Sequence, residues 1–423
     1  MKVLIVNTSE KTGGAAVAAG RLADALNSNG VEAAMLVRDK ESDSPHVTAV
    51  RAVFRRLPFL RERLTVFLGG RPARERLFEI DIANSGFDIT RTRAFKDADV
   101  IHLSWINQGM LSLKGIRKIL ASGKAVVWTM HDLWPATAVC HYARGCDLFT
   151  TRCSCCPLLS ARGDDDLSAQ VWAAKKRTYV NRNIQFVACS RWLAGEARQS
   201  ALLAGQEVTS IPNPIDTTLF CPADKGTARR ALGISTTKRL LLFVSQRVTD
   251  ERKGVTHFIE ALKIMASKYP RVSENAAVAV IGKNGEDIAA ELPLPVYTMG
   301  YVGDERMMAS VYNAADVYVL PSMEDNLPNT IMEAMACGVP CVGFKVGGIP
   351  EMIDHLVNGY VAAAGDAAAL AEGIRHVLTC DGYAELSANA VKKVANSYSQ
   401  HSVAVKYIEV YNKAIAFKRY KIT

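Results

Sequence analysis

Short apolar runs alternate with amphipathic stretches along nearly the whole chain. Residues 2–7, 31–37, Val100–Leu103, Ala125–Met130, 184–190 and 208–211 are largely apolar runs of strand length. Such runs read as strands covered on both faces, as in a parallel sheet with helical crossovers. A glycine turn at Gly13-Gly14 and an Ala-rich helix to about Asn29 follow the first strand, and another helix starts at Arg191. Asn213-Pro214 breaks the rhythm, as a hinge would. A second series then begins at 239–244. It continues through a helix at Val255–Lys268, strands at 277–281 and 296–299, a helix at Glu305–Ala314, and strands at Val317–Leu320 and Cys341–Phe344. The pattern predicts an α/β protein with two parallel-sheet domains. The last helix, about 402–417, carries Val405, Ile408, Tyr411 and Ile415 at helical spacing, an apolar stripe to pack on a domain.

Length and composition agree with two domains: 423 residues, 49% of them hydrophobic, can bury two sizeable cores. No run of 18 apolar residues exists to span a bilayer, and Met1-Lys2 leads straight into a strand rather than a signal peptide. Ten cysteines in a chain of this size do not look like a secreted disulfide framework. The expected location is the cytoplasm.

Charge changes this picture in one place. The net +9 is concentrated between Arg51 and Arg76, where Arg51, Arg55, Arg56, Arg61, Arg63, Arg71, Arg74 and Arg76 stand against Glu62 and Glu75. Val53, Phe54, Leu57, Phe59, Leu60, Leu64, Val66, Phe67 and Leu68 interleave with them. A basic, apolar segment suits an anionic membrane surface, here the inner face of the cytoplasmic membrane. It also suits an amphipathic helix packed on its domain with a solvated basic face. Nucleic acid fits poorly, because no Tyr or Trp stacking residues accompany the arginines.

The densest chemistry lies after the strand at Val317–Leu320, in Pro-Ser-Met-Glu324-Asp325-Asn326-Leu327-Pro-Asn-Thr-Ile-Met-Glu333-Ala-Met-Ala-Cys-Gly338. Two acids, Glu324 and Asp325, precede a short helix with Glu333 near its start and Gly338 as its C-cap. Acids at a strand's carboxyl end beside a helix N-terminus can hold a sugar nucleotide. The helix end attracts diphosphate, and a carboxylate can accept two ribose hydroxyls. An acid in a first helical turn can also merely complement the helix dipole.

This segment resembles the donor-site signature of glycosyltransferase family 4, also called glycosyl transferases group 1, whose members are retaining enzymes of the GT-B fold. That resemblance implies two Rossmann-like parallel-sheet domains facing a central cleft. The implied divisions are an acceptor domain over 1–212, with a basic insertion at about 43–95 and a Cys-rich insertion at 140–160; a nucleotide-sugar domain over 213–400; and a helix over 401–423 crossing back to the first domain. Glu333 matches the ribose-binding acid of Glu-Ala-Met-Ala-Cys-Gly-x-Pro. The sugar-facing acid falls at Asp325, eight residues earlier, or at Glu324; the family's usual Gly-Phe-Gly is Asn326-Leu327-Pro328 here. Ser245-Gln-Arg247-Val-Thr-Asp-Glu-Arg252-Lys253-Gly254 resembles the diphosphate loop, with Arg247 and Lys253 neutralising the leaving group and Arg252 competing with Lys253.

By the same resemblance, Gly13-Gly14 and Asn213 line the cleft, the Gly300-Tyr301-Val302 turn meets the nucleobase, and the Gly347-Gly348 turn closes the pocket wall. Thr129-Met-His131-Asp132 places His131 against the donor sugar, where it positions rather than deprotonates, with Asp132 orienting it. The implied reaction moves a sugar from a UDP- or GDP-sugar to a lipid-linked polysaccharide intermediate and requires no metal for catalysis. The alternatives are a nucleotide-sugar epimerase on the same fold, or a basic protein that only binds nucleic acid or membrane.

Cys140, Cys146, Cys153 and Cys156, with Cys155 between the last two, form a cluster in sequence that could surround a structural zinc, remain as packed thiols, or form a disulfide. The insertion resembles an exopolysaccharide and colanic-acid-type subgroup of the family. Asp164-Asp165-Asp166 reads as solvated surface outside the strand pattern.

Overall fold

A computed structural model describes residues 1–51, 54–73 and 76–420 and divides the chain into two compact units. The first is Met1–Pro214 together with the final helix from Val403 onward; the second is Ile215–Ser402. Val53, Arg74 and Glu75 of the basic segment lie outside the described residues.

The first unit is built on a seven-stranded, all-parallel sheet in the order β3-β2-β1-β4-β5-β6-β7. Its strands are β1 (Lys2–Ser9), β2 (Glu32–Asp39), β3 (Val47–Ala49), β4 (Val100–Leu103), β5 (Ala125–Met130), β6 (Gln185–Ala188) and β7 (Glu207–Ser210). The second unit repeats the plan with six strands, β10-β9-β8-β11-β12-β13, again all parallel. These are β8 (Arg239–Arg247), β9 (Ala276–Lys283), β10 (Val296–Thr298), β11 (Val317–Leu320), β12 (Cys341–Phe344) and β13 (Gly359–Ala362). In both sheets the order reverses at the first strand, between β1 and β4 and between β8 and β11. At such a reversal the following loops diverge and leave a crevice at the carboxyl ends of the strands.

The helix at Gln400–Tyr420 packs on the first unit through most of the stripe its spacing predicts: Tyr411 is buried, and Ile408 and Ile415 are partly buried against the same cluster. Val403, Ala404, Tyr407, Tyr411 and Ala414 are buried in one cluster with Val3, Ile5, Val100 and Val127, whereas Val405 is 40% exposed. The difference has a polar cause. Tyr411 Oη lies 2.6 Å from His102 Nδ1 and Tyr407 Oη 2.9 Å from Thr129 Oγ1, so the two tyrosines fix the rotation of the helix.

The Leu57–Gly70 helix is turned inside out. Glu62, Arg63 and Val66 face inward, while Leu57, Leu60, Leu64, Phe67 and Leu68 are each between 57% and 63% exposed. Buried polar partners explain the inversion. Glu62 Oε1 accepts the N–H groups of Ile82 at 2.8 Å and Ala83 at 2.7 Å, and Arg63 pairs with buried Asp81. Arg63 is therefore not part of a solvated basic face, although Arg55, Arg56, Arg61, Arg71 and Arg76 are exposed. No helix among the described residues is long and apolar enough to cross a membrane.

Candidate functional site

In the second unit the loops after β8 and β11 meet at the strand-order reversal. Gly254, in the left-handed region at φ 74°, permits the approach: a Cβ there would sit 1.8 Å from the Pro321 carbonyl oxygen. Asp250 caps the single 3₁₀ turn Glu251–Lys253, and the Met323 N–H donates to the Arg252 carbonyl at 2.9 Å. This docking brings Lys253 Nζ within 2.6 Å of Asp325 Oδ2, which also accepts from Ser322 Oγ at 3.2 Å. Burial alone would raise the Asp325 carboxyl; Lys253 and Arg252 outweigh it and hold the group below the usual carboxylate range. Arg252 Nη1 donates to the Glu324 carbonyl at 3.0 Å, and Arg247 ends β8 with its side chain exposed.

Glu333 lies in the second turn of the Asn329–Ala336 helix, not near its start, so dipole complementation in a first turn does not account for it. It is buried, and its Oε2 accepts from Tyr312 Oη at 2.7 Å. Cys337 caps this helix and Gly338 follows at φ 75°. Asn326 and Leu327 are buried, and the Asn326 carbonyl accepts from the Gly348 N–H at 2.8 Å, tying the Gly347-Gly348 turn to the same edge. The Gly300 carbonyl accepts from the Gly282 N–H at 2.6 Å; Tyr301 projects, 55% exposed, with Lys283 Nζ 5.7 Å from its ring centre, and Val302 is half-buried beside it.

In the first unit, Gly13 at φ 96° caps the Gly14–Asn27 helix without a side-chain bond. The preceding loop is held by Glu41 Oε1, which accepts from Ser9 Oγ at 2.9 Å and Thr12 Oγ1 at 3.0 Å. His131 follows β5 with Nε2 2.9 Å from Ser104 Oγ and Nδ1 3.3 Å from Cys189 Sγ. Burial lowers its pKa to about 4, so the ring is neutral at physiological pH. Asn213, Pro214, Ser104, His102 and Tyr407 line a small cavity with it.

Asp132 corrects the sequence reading, because its hydrogen bonds go elsewhere than to its neighbour His131. Oδ2 accepts from Trp105 Nε1 at 3.0 Å and His141 Nδ1 at 2.7 Å, and Oδ1 accepts the Trp134 N–H at 2.9 Å. His141 Nε2 donates onward to Asp81 Oδ2 at 2.7 Å. Burial alone would lower the His141 pKa; the two carboxylates reverse this and carry it to about 10, so it is an imidazolium. Trp105, Asp81 and His141 carry no local signal in the sequence, because they meet around Asp132 through separations of 9 to 60 residues.

The cysteine cluster is a second correction. Among the described residues no group of three or more His, Cys, Asp or Glu side chains could hold a metal ion. Cys140, Cys146, Cys153 and Cys156 line one small apolar cavity with Val139, Ala143, Leu148 and Phe149, and all are free thiols. Burial pushes Cys153 up to about 12 and Cys156 up to about 11, as expected of thiols packed among apolar side chains. Asp166 is not surface either: it is buried, caps the Leu167–Tyr179 helix at Ala169 N, and accepts the Cys156 N–H at 2.8 Å.

Two family models match the chain side by side: "Glycosyltransferase Family 4" over residues 12–219 and "Glycosyl transferases group 1" over 238–380. A D-inositol 3-phosphate glycosyltransferase from Thermobispora bispora is 31% identical over 235 residues, 52% of this chain and 54% of that protein. The N-acetyl-alpha-D-glucosaminyl L-malate synthase of Bacillus anthracis is 23% identical over 49% of this chain and 54% of its own. The chain thus spans about half the length of these relatives. Among solved structures, sucrose-phosphate synthase from Thermosynechococcus elongatus superposes with a TM-score of 0.68 at 20% identity, over 98% of this chain and 99% of that one. Anabaena HepE in complex with UDP-glucose superposes with a TM-score of 0.63 at 16% identity, over 98% and 100%. At these identities the superpositions establish a shared GT-B fold.

Proposed function

The chain belongs to the group 1 glycosyltransferases of family 4, and on that premise we propose that it moves a sugar, with retention, from a nucleotide-diphosphate donor to a lipid-linked saccharide of surface-polysaccharide assembly. The observation that carries the donor half is the Lys253–Asp325 pair, with buried Glu333 on the helix that follows β11. Lys253, Arg252 and Arg247 supply positive charge to a diphosphate, Glu333 accepts ribose hydroxyls, and Asp325, with Glu324 adjacent, faces the sugar. Tyr301 and Val302 offer the nucleobase a surface, and backbone at Asn326 and Leu327 completes the donor contacts of the second unit.

In the reaction the bond from the anomeric carbon to the diphosphate oxygen breaks and a bond to the acceptor oxygen forms on the same face. The acceptor proton passes to the departing phosphate oxygen. Negative charge grows on the diphosphate as this happens, so the cations stabilise the transition state more than the ground state. His131, neutral in the structure, orients by hydrogen bonding and takes no proton. UDP is the favoured nucleotide, supported by the UDP-glucose complex of the HepE neighbour.

The acceptor half is supported by the inside-out Leu57–Gly70 helix. Five exposed apolar side chains beside Arg55, Arg56, Arg61 and Arg71 match an anionic bilayer, arginines to headgroups and leucines to the acyl boundary. On this reading the enzyme works peripherally on the cytoplasmic face of the membrane. Thermal unfolding in the presence of a panel of UDP- and GDP-sugars tests the donor reading, since a ligand of the native state raises the melting midpoint. A panel that leaves the midpoint unmoved overturns it.

A further inference from the structure

The crevice at the β1/β4 reversal of the first unit carries an aromatic ring held far more firmly than packing requires. Trp105 is the second residue after β4. Its backbone N–H donates to Asn7 Oδ1 at 2.8 Å, and its carbonyl accepts from the Thr8 N–H at 2.8 Å and from Thr8 Oγ1 at 3.0 Å. The indole Nε1 is anchored on Asp132 at 3.0 Å, and one face is stacked on the His141 ring at 5.8 Å between centres and 29° between planes. His141 is itself fixed between Asp132 and Asp81. Despite these restraints Trp105 is only half-buried, unlike Trp128 and Trp134, which are 1% and 0% exposed.

We propose that Trp105 is a stacking platform for a neutral pyranose ring of the acceptor saccharide. The inference rests on the glycosyltransferase reading above and adds a subsite to it. An aromatic face is electron-rich, and the axial C–H bonds on the flatter face of a pyranose present partial positive charge to it while removing apolar surface from water. A ring already fixed by Asp132 and His141 gives up little conformational freedom on binding, so its contact energy is retained. Two further features fit a sugar. Part-exposed Gln108, three residues on, sits in the left-handed region at φ 54° with its backbone carbonyl held by Arg38, and its side chain is of a type that can hydrogen-bond hydroxyls. Ser104, the residue before Trp105, contacts His131 at 2.9 Å, so the platform begins next to the His-Asp loop. Asp132 and His141 are positioning residues for the indole.

The test uses the full chain labelled with 5-fluorotryptophan and followed by fluorine NMR. The signal missing from Trp105→Phe identifies Trp105. Titration with the methyl glycosides of glucose, galactose, mannose and N-acetylglucosamine is expected to move that signal, and UDP is expected to leave it in place. In saturation-transfer experiments Trp105→Ala should weaken binding of the responding glycoside by about tenfold, while Trp105→Phe, which keeps a π face, retains most of it. A Trp105 signal that none of the four glycosides moves overturns the platform, and so does glycoside binding unaltered in Trp105→Ala. UDP and GDP are titrated in parallel against the wild type. Failure of both to bind, with the Trp105 shift intact, would overturn the donor reading and not the platform.

Discussion

Lys253 Nζ lies 2.6 Å from Asp325 Oδ2, so the cation after β8 and the acid after β11 neutralise one another before any donor arrives. An incoming diphosphate must compete with Asp325 for Lys253. The two partners should therefore respond in opposite ways. Lys253→Ala removes a charge-assisted contact and should weaken UDP binding by about 1.5–3 kcal/mol. Asp325→Asn releases the ammonium and should leave UDP affinity unchanged or tighter, while sugar transfer falls. Calorimetric titration of UDP into both variants decides this; an equal loss in the two would remove the competition.

Tyr312 and Glu333 set the second expectation. The phenol orients a carboxylate that is otherwise buried, and the carboxylate is assigned to ribose. Glu333→Ala should weaken UDP binding by about 1.5–3 kcal/mol, because hydrogen bonds to a charged group are lost. Tyr312→Phe leaves the charge but frees its orientation, and should cost about 0.5–1.5 kcal/mol. Nucleotide affinity that is indifferent to Glu333 would take the ribose role away from it.

The parts of this molecule readable in advance are those in which local pattern and burial coincide. β4, β5, β11 and β12 and the helices Val255–Lys268 and Glu305–Ala314 begin and end where their apolar runs begin and end. Lys253 and Asp325 could each be named as site candidates because both sit in loops after apolar strands, but their 2.6 Å contact follows only from β8 and β11 being neighbours in the sheet. What escaped was decided by partners distant in sequence. The inside-out helix looks like an ordinary basic amphipath until Asp81, Ile82 and Ala83 are seen to need Arg63 and Glu62. Asp132 looks like the partner of His131 until Trp105 and His141 arrive from elsewhere. On the final helix only Val405 of the expected stripe falls outside the packed face, because the hydroxyls of Tyr407 and Tyr411 also bear on its rotation.

The buried polar chain beneath the Leu57–Gly70 helix should be visible in the pH dependence of stability. Burial, with the charge of Asp81, raises the Glu62 pKa from 4.5 to about 7. An acid with a raised folded-state pKa contributes stability at low pH that is lost as pH climbs from its unfolded to its folded value. Glu62→Gln should therefore match the wild type near pH 4.5 and become relatively more stable up to about pH 7, with no further divergence beyond. His141 is a base with a raised pKa, so its contribution is complete below 6.5 and lost as pH rises to about 10. His141→Gln should be most destabilising, by about 3–5 kcal/mol, below pH 6.5, and its deficit should shrink towards pH 10. Lys175, lowered by burial to about 7, changes in the opposite sense over the upper range. Difference curves of variant against wild type are thus the informative measurement. A Glu62→Gln difference that stays constant from pH 4.5 to 7 would contradict the assignment.

The outward face of the Leu57–Gly70 helix provides the last expectation. Leu60 and Leu64, 58% and 57% exposed, lie one turn apart on a face that contributes nothing to the core. Glutamates there should leave folding and UDP affinity unchanged. On a bilayer each leucine would bury a side chain worth about 1.5–3 kcal/mol, and each glutamate would add repulsion from anionic headgroups. The wild type should therefore co-sediment with phosphatidylglycerol vesicles, less so with phosphatidylcholine, and less again at high salt, where arginine–headgroup attraction is screened. Leu60→Glu combined with Leu64→Glu should stay in the supernatant. A wild type that ignores phosphatidylglycerol vesicles, or a double variant that still sediments with them, would mean that this face serves something other than a membrane. The partners of Glu62 and Arg63 account for the inward face, whereas five exposed apolar side chains together form the kind of patch that marks an interaction surface.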